Sequence, residues 1–115
     1  MDAAQALGEL MELSSQITTA IVFGAGGAVL AASSDDAAAV LATPTRDLLA
    51  AAADLGTDDR EVTRVEVELD EGAIFVVREG EHTIAATTGP NPTSGLVVYD
   101  LRTCVQAIAR TALRQ

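Results

Sequence analysis

At 115 residues, 49% of them hydrophobic, the chain has the length of one domain and enough apolar side chains for a core, which argues against two independent domains. Seventeen acidic residues against seven basic ones give a formal net charge of −10, a balance that repels phosphate backbones and anionic lipid surfaces and so excludes nucleic acid as a natural partner. One cysteine, Cys104, rules out an intrachain disulfide and a cysteine-based metal site.

The opening MDAAQALGELMELSS is acidic where a secretory signal would be basic, and no apolar run is long enough to span a bilayer, so the chain reads as cytoplasmic with no membrane insertion. Asp2 is placed to cap a first helix, with Gln5 in capping-box position and Leu7, Leu10 and Met11 at helical spacing, ending near Ser14 and Ser15. Ile17 to Phe23 follows, apolar on both faces, as a strand covered on both sides. Gly24-Ala25-Gly26-Gly27 supplies the positive-φ freedom of a hairpin, and Ala28 to Ser33 is the returning strand.

Asp35 or Asp36 is expected to cap a second helix reaching Leu55, with Gly56 as a left-handed cap and Leu41, Leu48, Ala52 and Leu55 on one face. Pro44 either kinks this helix or lies in its first turn. Alanines 50 to 53 carry so little volume that another backbone can approach them. Val65, Val67 and Leu69 alternate with Glu66, Glu68 and Asp70, the pattern of an edge or near-edge strand with one wet face. Ala73 to Glu79 is apolar on both faces and therefore interior, and the Gly80-Glu81 turn leads into His82 to Thr88. After Gly89-Pro90-Asn91-Pro92 a final helix, about Ser94 to Leu113, buries Val97, Leu101, Cys104, Val105, Ile108 and Ala112. The order is αββαβββα, an α/β chain of the α+β kind.

Residues for chemistry are not assembled in this pattern. The glycine segment fails both nucleotide-loop signatures, since Val29 stands where GxGxxG needs its third glycine, no Lys-Ser/Thr follows, and a strand rather than a helix comes next. His82 is the only histidine and Cys104 sits on a buried stripe, which reads as a strand-start histidine and a core thiol, not a catalytic pair. The carboxylates of Asp58-Asp59-Arg60-Glu61 and of Glu66, Glu68, Asp70 and Glu71 have no EF-hand spacing, and the alternating ones lie on a solvated face. Tyr99 and Asp100 point in different directions on a helix, and Tyr99 is expected at the helix-sheet margin. Arg46, Arg60, Arg64 and Arg78 read mainly as surface charges that offset acidic neighbours. No catalytic residue, cofactor-binding residue or metal ligand is assigned.

The segments LGELMEL, TTAIVFGAGGAVLAASS, LLAAAADLG, EGAIFVVREGEHTIAATTG and SGLVVYDLRTCVQAIARTAL, in this order, resemble the roadblock family of dynein light chains and its bacterial and archaeal relatives over nearly the whole chain. The resemblance implies a five-stranded antiparallel sheet with the middle helix on one face and the first and last helices on the other. It also implies dimerisation through the middle helix, here Leu41, Leu48, Leu49, Ala51, Ala52 and Leu55, and through the third strand, Val62 to Leu69, with Val62, Arg64, Glu66 and Glu68 at the interface. Bacterial and archaeal relatives resemble partners and regulators of small Ras-like GTPases. The expected function is thus a non-catalytic homodimeric scaffold or regulator that binds such a GTPase. The alternative is a small-molecule-sensing or generic interaction domain of a signalling complex, which would need a cavity with convergent polar groups; the core offers Thr87 and Thr88.

Overall fold

The computed structural model describes residues 2–55 and 63–113. In chain order it forms α1 (Ala3–Leu13), β1 (Ile17–Phe23), β2 (Val29–Ala32), α2 (Asp35–Ala53), β3 (Arg64–Leu69), β4 (Gly72–Glu79), β5 (His82–Thr88) and α3 (Ser94–Leu113). The element order is the expected one. The strands make a single antiparallel sheet, β2-β1-β5-β4-β3, so β1, β5 and β4 are interior and β2 and β3 are its edges.

The two-sided apolar character of the inner strands sets the layers. Ala20, Val22, Phe75, Val77, Ile84 and Ala86 point to one face, where α1 and α3 cover them. Ile21, Phe23, Val76 and Ala85 point to the other, under α2. This is the sandwich of helix layers that the roadblock resemblance implies. Asp2 caps α1 by accepting a 2.8 Å bond from the Gln5 N–H, as the spacing requires. On α3 the predicted stripe is buried at Val97, Leu101, Cys104, Val105 and Ile108, and Val98 joins it; the side chain of Ala112 lies outside the described residues.

Several local expectations change. The hairpin loop tightens into a single 3-10 turn, Ala25–Gly27, with Gly26 and Gly27 at positive φ, and β2 is shorter than the expected 28–33. Ser33 leaves the ladder to close the hairpin base, where its hydroxyl accepts from the Ala20 N–H and its own N–H donates to the Ala20 carbonyl. Ser34, not Asp35 or Asp36, caps α2 by accepting from the Ala37 N–H; the two aspartates occupy the first turn, where the helix dipole favours them.

Pro44 neither starts nor ends α2, which runs through it. The hydrogen bond that proline removes belongs to the Val40 carbonyl, and Val40 and Pro44 both lie on the exposed side, where water can replace the missing donor. The buried face of α2 is also rotated from the predicted one: Ala37, Leu41, Thr45 and Ala52 face the sheet, Leu49 packs beside them, Leu48 is half-buried and Leu55 is 84% exposed. A polar Thr45 in the stripe hides this phase from a hydrophobicity count. The expected Gly56 cap lies outside the described residues.

Gly72, opposite Leu69 at the β3–β4 turn, has no room for a side chain, since an added Cβ would collide with the Thr88 carbonyl oxygen. Gly72→Ala is therefore expected to lower unfolding free energy by about 1–3 kcal/mol, because backbone must shift. Gly8→Ala, in the exposed middle of α1 with open space around it, is expected to raise stability by up to about 1 kcal/mol. Urea unfolding of both variants checks the opposite signs.

Candidate interaction surface

Two neighbouring features of the fold are left without a partner among the described residues. The first is the β3 edge. The Arg78 N–H donates to the Thr63 carbonyl, which makes that pair a hydrogen-bonded one and fixes the phase of the ladder. By alternation, Val65, Val67 and Leu69 exchange bonds with β4, and the N–H and C=O groups of Arg64, Glu66 and Glu68 point away from the sheet. The side chains of these three residues are exposed. Val65 and Val67 are half-buried on the α2 face, and Leu69 is 58% exposed.

The second is the flank of α2. Val40, Pro44, Leu48, Ala51 and Leu55 recur at i, i+4, i+8, i+11 and i+15, one helical stripe beside the buried face. Val40 is 65% exposed, Pro44 and Ala51 are exposed, and the stripe continues past the helix end to Leu55. α2 lies mainly over β1 and β2 and reaches β3, so the stripe and the open edge belong to the same side of the molecule.

The expected interface residues therefore separate. Arg64, Glu66 and Glu68 lie on the open edge, and Leu48, Ala51 and Leu55 on the apolar flank. Leu41, 4% exposed, and Ala52, 9% exposed, are buried against the chain's own sheet and have little area left to offer a second copy; Leu49 is half-buried on that same side. Val62 lies outside the described residues. Val40 and Pro44 were missed by the sequence reading, although their spacing with Leu48 and Leu55 was a usable signal.

The groups weighed for chemistry stay apart. His82 begins β5 opposite Glu79, while Cys104 is buried on α3. Burial, and secondarily the Glu9 carboxylate, pushes the Cys104 thiol up to about 11, the direction opposite to an activated nucleophile. The Thr87 hydroxyl is bonded to that of Thr19 at 2.5 Å and the Thr88 hydroxyl donates to the Gly89 carbonyl at 2.9 Å, so each already has a partner within the chain. Arg46 donates to the Gly27 carbonyl at 2.8 Å with its guanidinium 5.4 Å from the Phe23 ring centre, and Arg78 reaches the Gly80 carbonyl. These two arginines tie down turns; Arg60, with Asp58, Asp59 and Glu61, lies outside the described residues. Among the described residues no three His, Cys, Asp or Glu side chains are grouped as metal ligands, and no helix is long and apolar enough to cross a membrane. Tyr99 is not at the helix-sheet margin: it is 68% exposed, because Val97, Val98 and Leu101 fill the inward positions around it.

Comparison with known proteins agrees with this architecture. The Roadblock/LC7 domain model matches residues 4–88. The chain belongs to the Roadblock/LC7 family. A Roadblock/LC7 domain from Streptomyces avermitilis superposes with a TM-score of 0.85 at 21% identity, covering 100% of both chains. The gliding protein MglB from Thermus thermophilus gives 0.78 at 19% identity over 98% of this chain and 90% of its own. Myxococcus xanthus MglB gives 0.73 at 11% identity over 98% and 93%. No curated protein matches the sequence.

In this roadblock fold Cys104 is a packing residue. Cys104→Ser is expected to destabilise by about 1–3 kcal/mol if the hydroxyl is left unpaired. Its raised pKa means that the native state keeps the proton which the unfolded thiol loses first. The associated stability is present below the unfolded value of about 8.5 and is lost as pH rises toward 11. Thiol-reagent kinetics at about pH 8 should accordingly be slower for the folded chain than for the chain in denaturant.

Proposed function

We propose that this roadblock protein is a non-catalytic homodimeric scaffold or regulator that binds a small Ras-like GTPase. The observation that carries the reading is the pairing of an open β3 edge with an uncovered apolar flank of α2. Exposed backbone groups on an edge invite another strand, and a second copy of β3 would cover them while extending the sheet. Burying a side chain such as Val40 or Leu55 contributes about 1.5–3 kcal/mol each, whereas Leu41, already buried, contributes nothing further. Exposed residues, not the buried ones on the same helix, supply the driving force.

Charge selects the register. With a two-fold axis at Val65, Arg64 stands opposite Glu66 of a second copy, and the pair occurs twice. With the axis at Glu66, Arg64 stands opposite Glu68 of the second copy, also twice, but the two Glu66 side chains then face each other, a destabilising like-charge contact that the first register avoids. The first arrangement is favoured. For the GTPase, the support is membership of the roadblock family, whose bacterial and archaeal members resemble regulators of Ras-like GTPases, together with the dispersal of His82, Cys104 and the threonine hydroxyls, which leaves no nucleophile, base and orienter together among the described residues.

The purified chain is expected to run as a dimer at tens of micromolar by light scattering. Leu48→Asp should give a monomer or an unfolded chain, since a carboxylate stranded in a dry contact costs several kcal/mol, and Glu71→Ala should leave the mass unchanged. A monomeric wild type, or a stable dimer of Leu48→Asp, contradicts the interface. The chain alone should not hydrolyse GTP or ATP, and it should co-elute with a Ras-like GTPase encoded beside it in at least one nucleotide state. Hydrolysis that survives a second preparation contradicts the non-catalytic reading.

A further inference from the structure

The face of the molecule opposite α2 carries a feature that the proposed dimer does not use. Between α1 and α3 lies a cleft of about 200 Å³ floored by Leu10, Cys104 and Ala107 and walled by Leu13 and Tyr99. Leu13 is 82% and Tyr99 68% exposed, two large apolar side chains left in water beside one cleft, at the end of one helix and the start of another. The two helix ends are held together, because the Thr93 N–H donates to the Gln16 side-chain oxygen at 2.6 Å. The cleft is thus bounded by two tied elements and does not depend on a loose terminus.

Its charged rim is of one sign. Glu9 and Asp100 are the only charged residues lining it among the described residues, and the Glu9 carboxylate is near enough to raise the Cys104 thiol. An acidic segment is a poor occupant on that ground, and a basic one a good one. The volume suits one or two side chains and falls below the 300–1,000 Å³ or so of a typical small-molecule site. A basic segment meets both conditions: an apolar anchor enters between Leu13 and Tyr99, flanking Lys or Arg side chains answer Glu9 and Asp100, and the exposed Tyr99 ring offers a face to a guanidinium.

We propose that the α1–α3 cleft is a docking site for a basic amphipathic helix of a partner protein. Such a helix places one or two apolar residues, spaced at i and i+3 or i+4, in the groove, leaving the α2 and β3 side open at the same time. The site lies apart from the α2 and β3 surface of the proposed dimer, so failure of that dimer leaves it standing.

The test is selection of a randomised helical-peptide display library against the full-length chain, with Leu13→Ser/Tyr99→Ala as the counter-target. Both substituted side chains are exposed, and an unchanged thermal unfolding midpoint shows that the variant is folded. Enriched peptides are expected to carry net positive charge around an apolar anchor and to bind the double variant roughly tenfold or more weakly. Glu9→Gln/Asp100→Asn should also weaken them and reduce the salt dependence of binding. No enrichment over the counter-target, enrichment of acidic or uncharged peptides, binding that maps to α2 or β3, or a metabolite that fills the cleft in a thermal-shift screen while no peptide does, would each overturn the proposal.

Discussion

Three adjacent strands that are apolar on both faces constrain this molecule more than any other feature. β1, β5 and β4 each present small aliphatic side chains alternately up and down, and neither set can be left in water. One helix layer would cover only half of them. The chain therefore needs α1 and α3 on one side and α2 on the other, and the amphipathic stripes of those helices are matched to the two sets: Leu7, Leu10, Val97, Leu101, Val105 and Ile108 against Val22, Phe75 and Val77, and Ala37 and Leu41 against Ile21 and Phe23. With no tryptophan and 3% aromatic residues, the layers approach through Ala and Val. That is why glycine at position 72, against the Thr88 carbonyl, is a steric requirement and not a convenience.

A sheet built in this way still ends in two edges, and the chain treats them differently. β2 has four residues and ends at the Ser33 closure, so it is a short edge. β3 has six, with its outward backbone groups at Arg64, Glu66 and Glu68. Charged side chains at those positions discourage indiscriminate pairing, yet the one cation among them can answer a glutamate of a second copy, and the register that keeps the two Glu66 side chains apart is the favoured one. Affinity for self would then draw on a single arginine in an acidic strand, and register on the avoidance of a Glu66–Glu66 contact. The apolar flank of α2 beside it adds the hydrophobic contribution that edge hydrogen bonds alone do not supply.

Much of this was legible in the sequence because period-two alternation and turn glycines report local geometry directly. The bounds of α1, β1, β5 and α3 follow from the Asp2 cap, the apolar run to Phe23, the Gly80 turn and the Pro92 break. What could not be read is the phase of α2. A stripe with Leu48 and Leu55 inward is as good a helical pattern as the one observed, and the choice depends on Thr45 being accepted into the core, where its hydroxyl is buried with no hydrogen-bond partner. A tertiary fit that tolerates an unsatisfied hydroxyl cannot be inferred from hydrophobicity. Tyr99 was misplaced for a related reason: the inward positions of α3 were already filled by aliphatic residues, and only the packed structure shows that the ring was left outside.

Closure of the β3 edge by another copy of itself is measured directly by backbone amide exchange. Arg64, Glu66 and Glu68 have N–H groups that point away from β4, so nothing within the chain's own ladder protects them. At concentrations where the chain is a dimer the Glu66 amide is expected to exchange slowly, like that of Val65, and dilution or Leu48→Asp to release it selectively. Rapid exchange at Glu66 in a sample of dimeric mass, with Val65 and Val67 protected, would show that the edge is open and that the copies meet elsewhere.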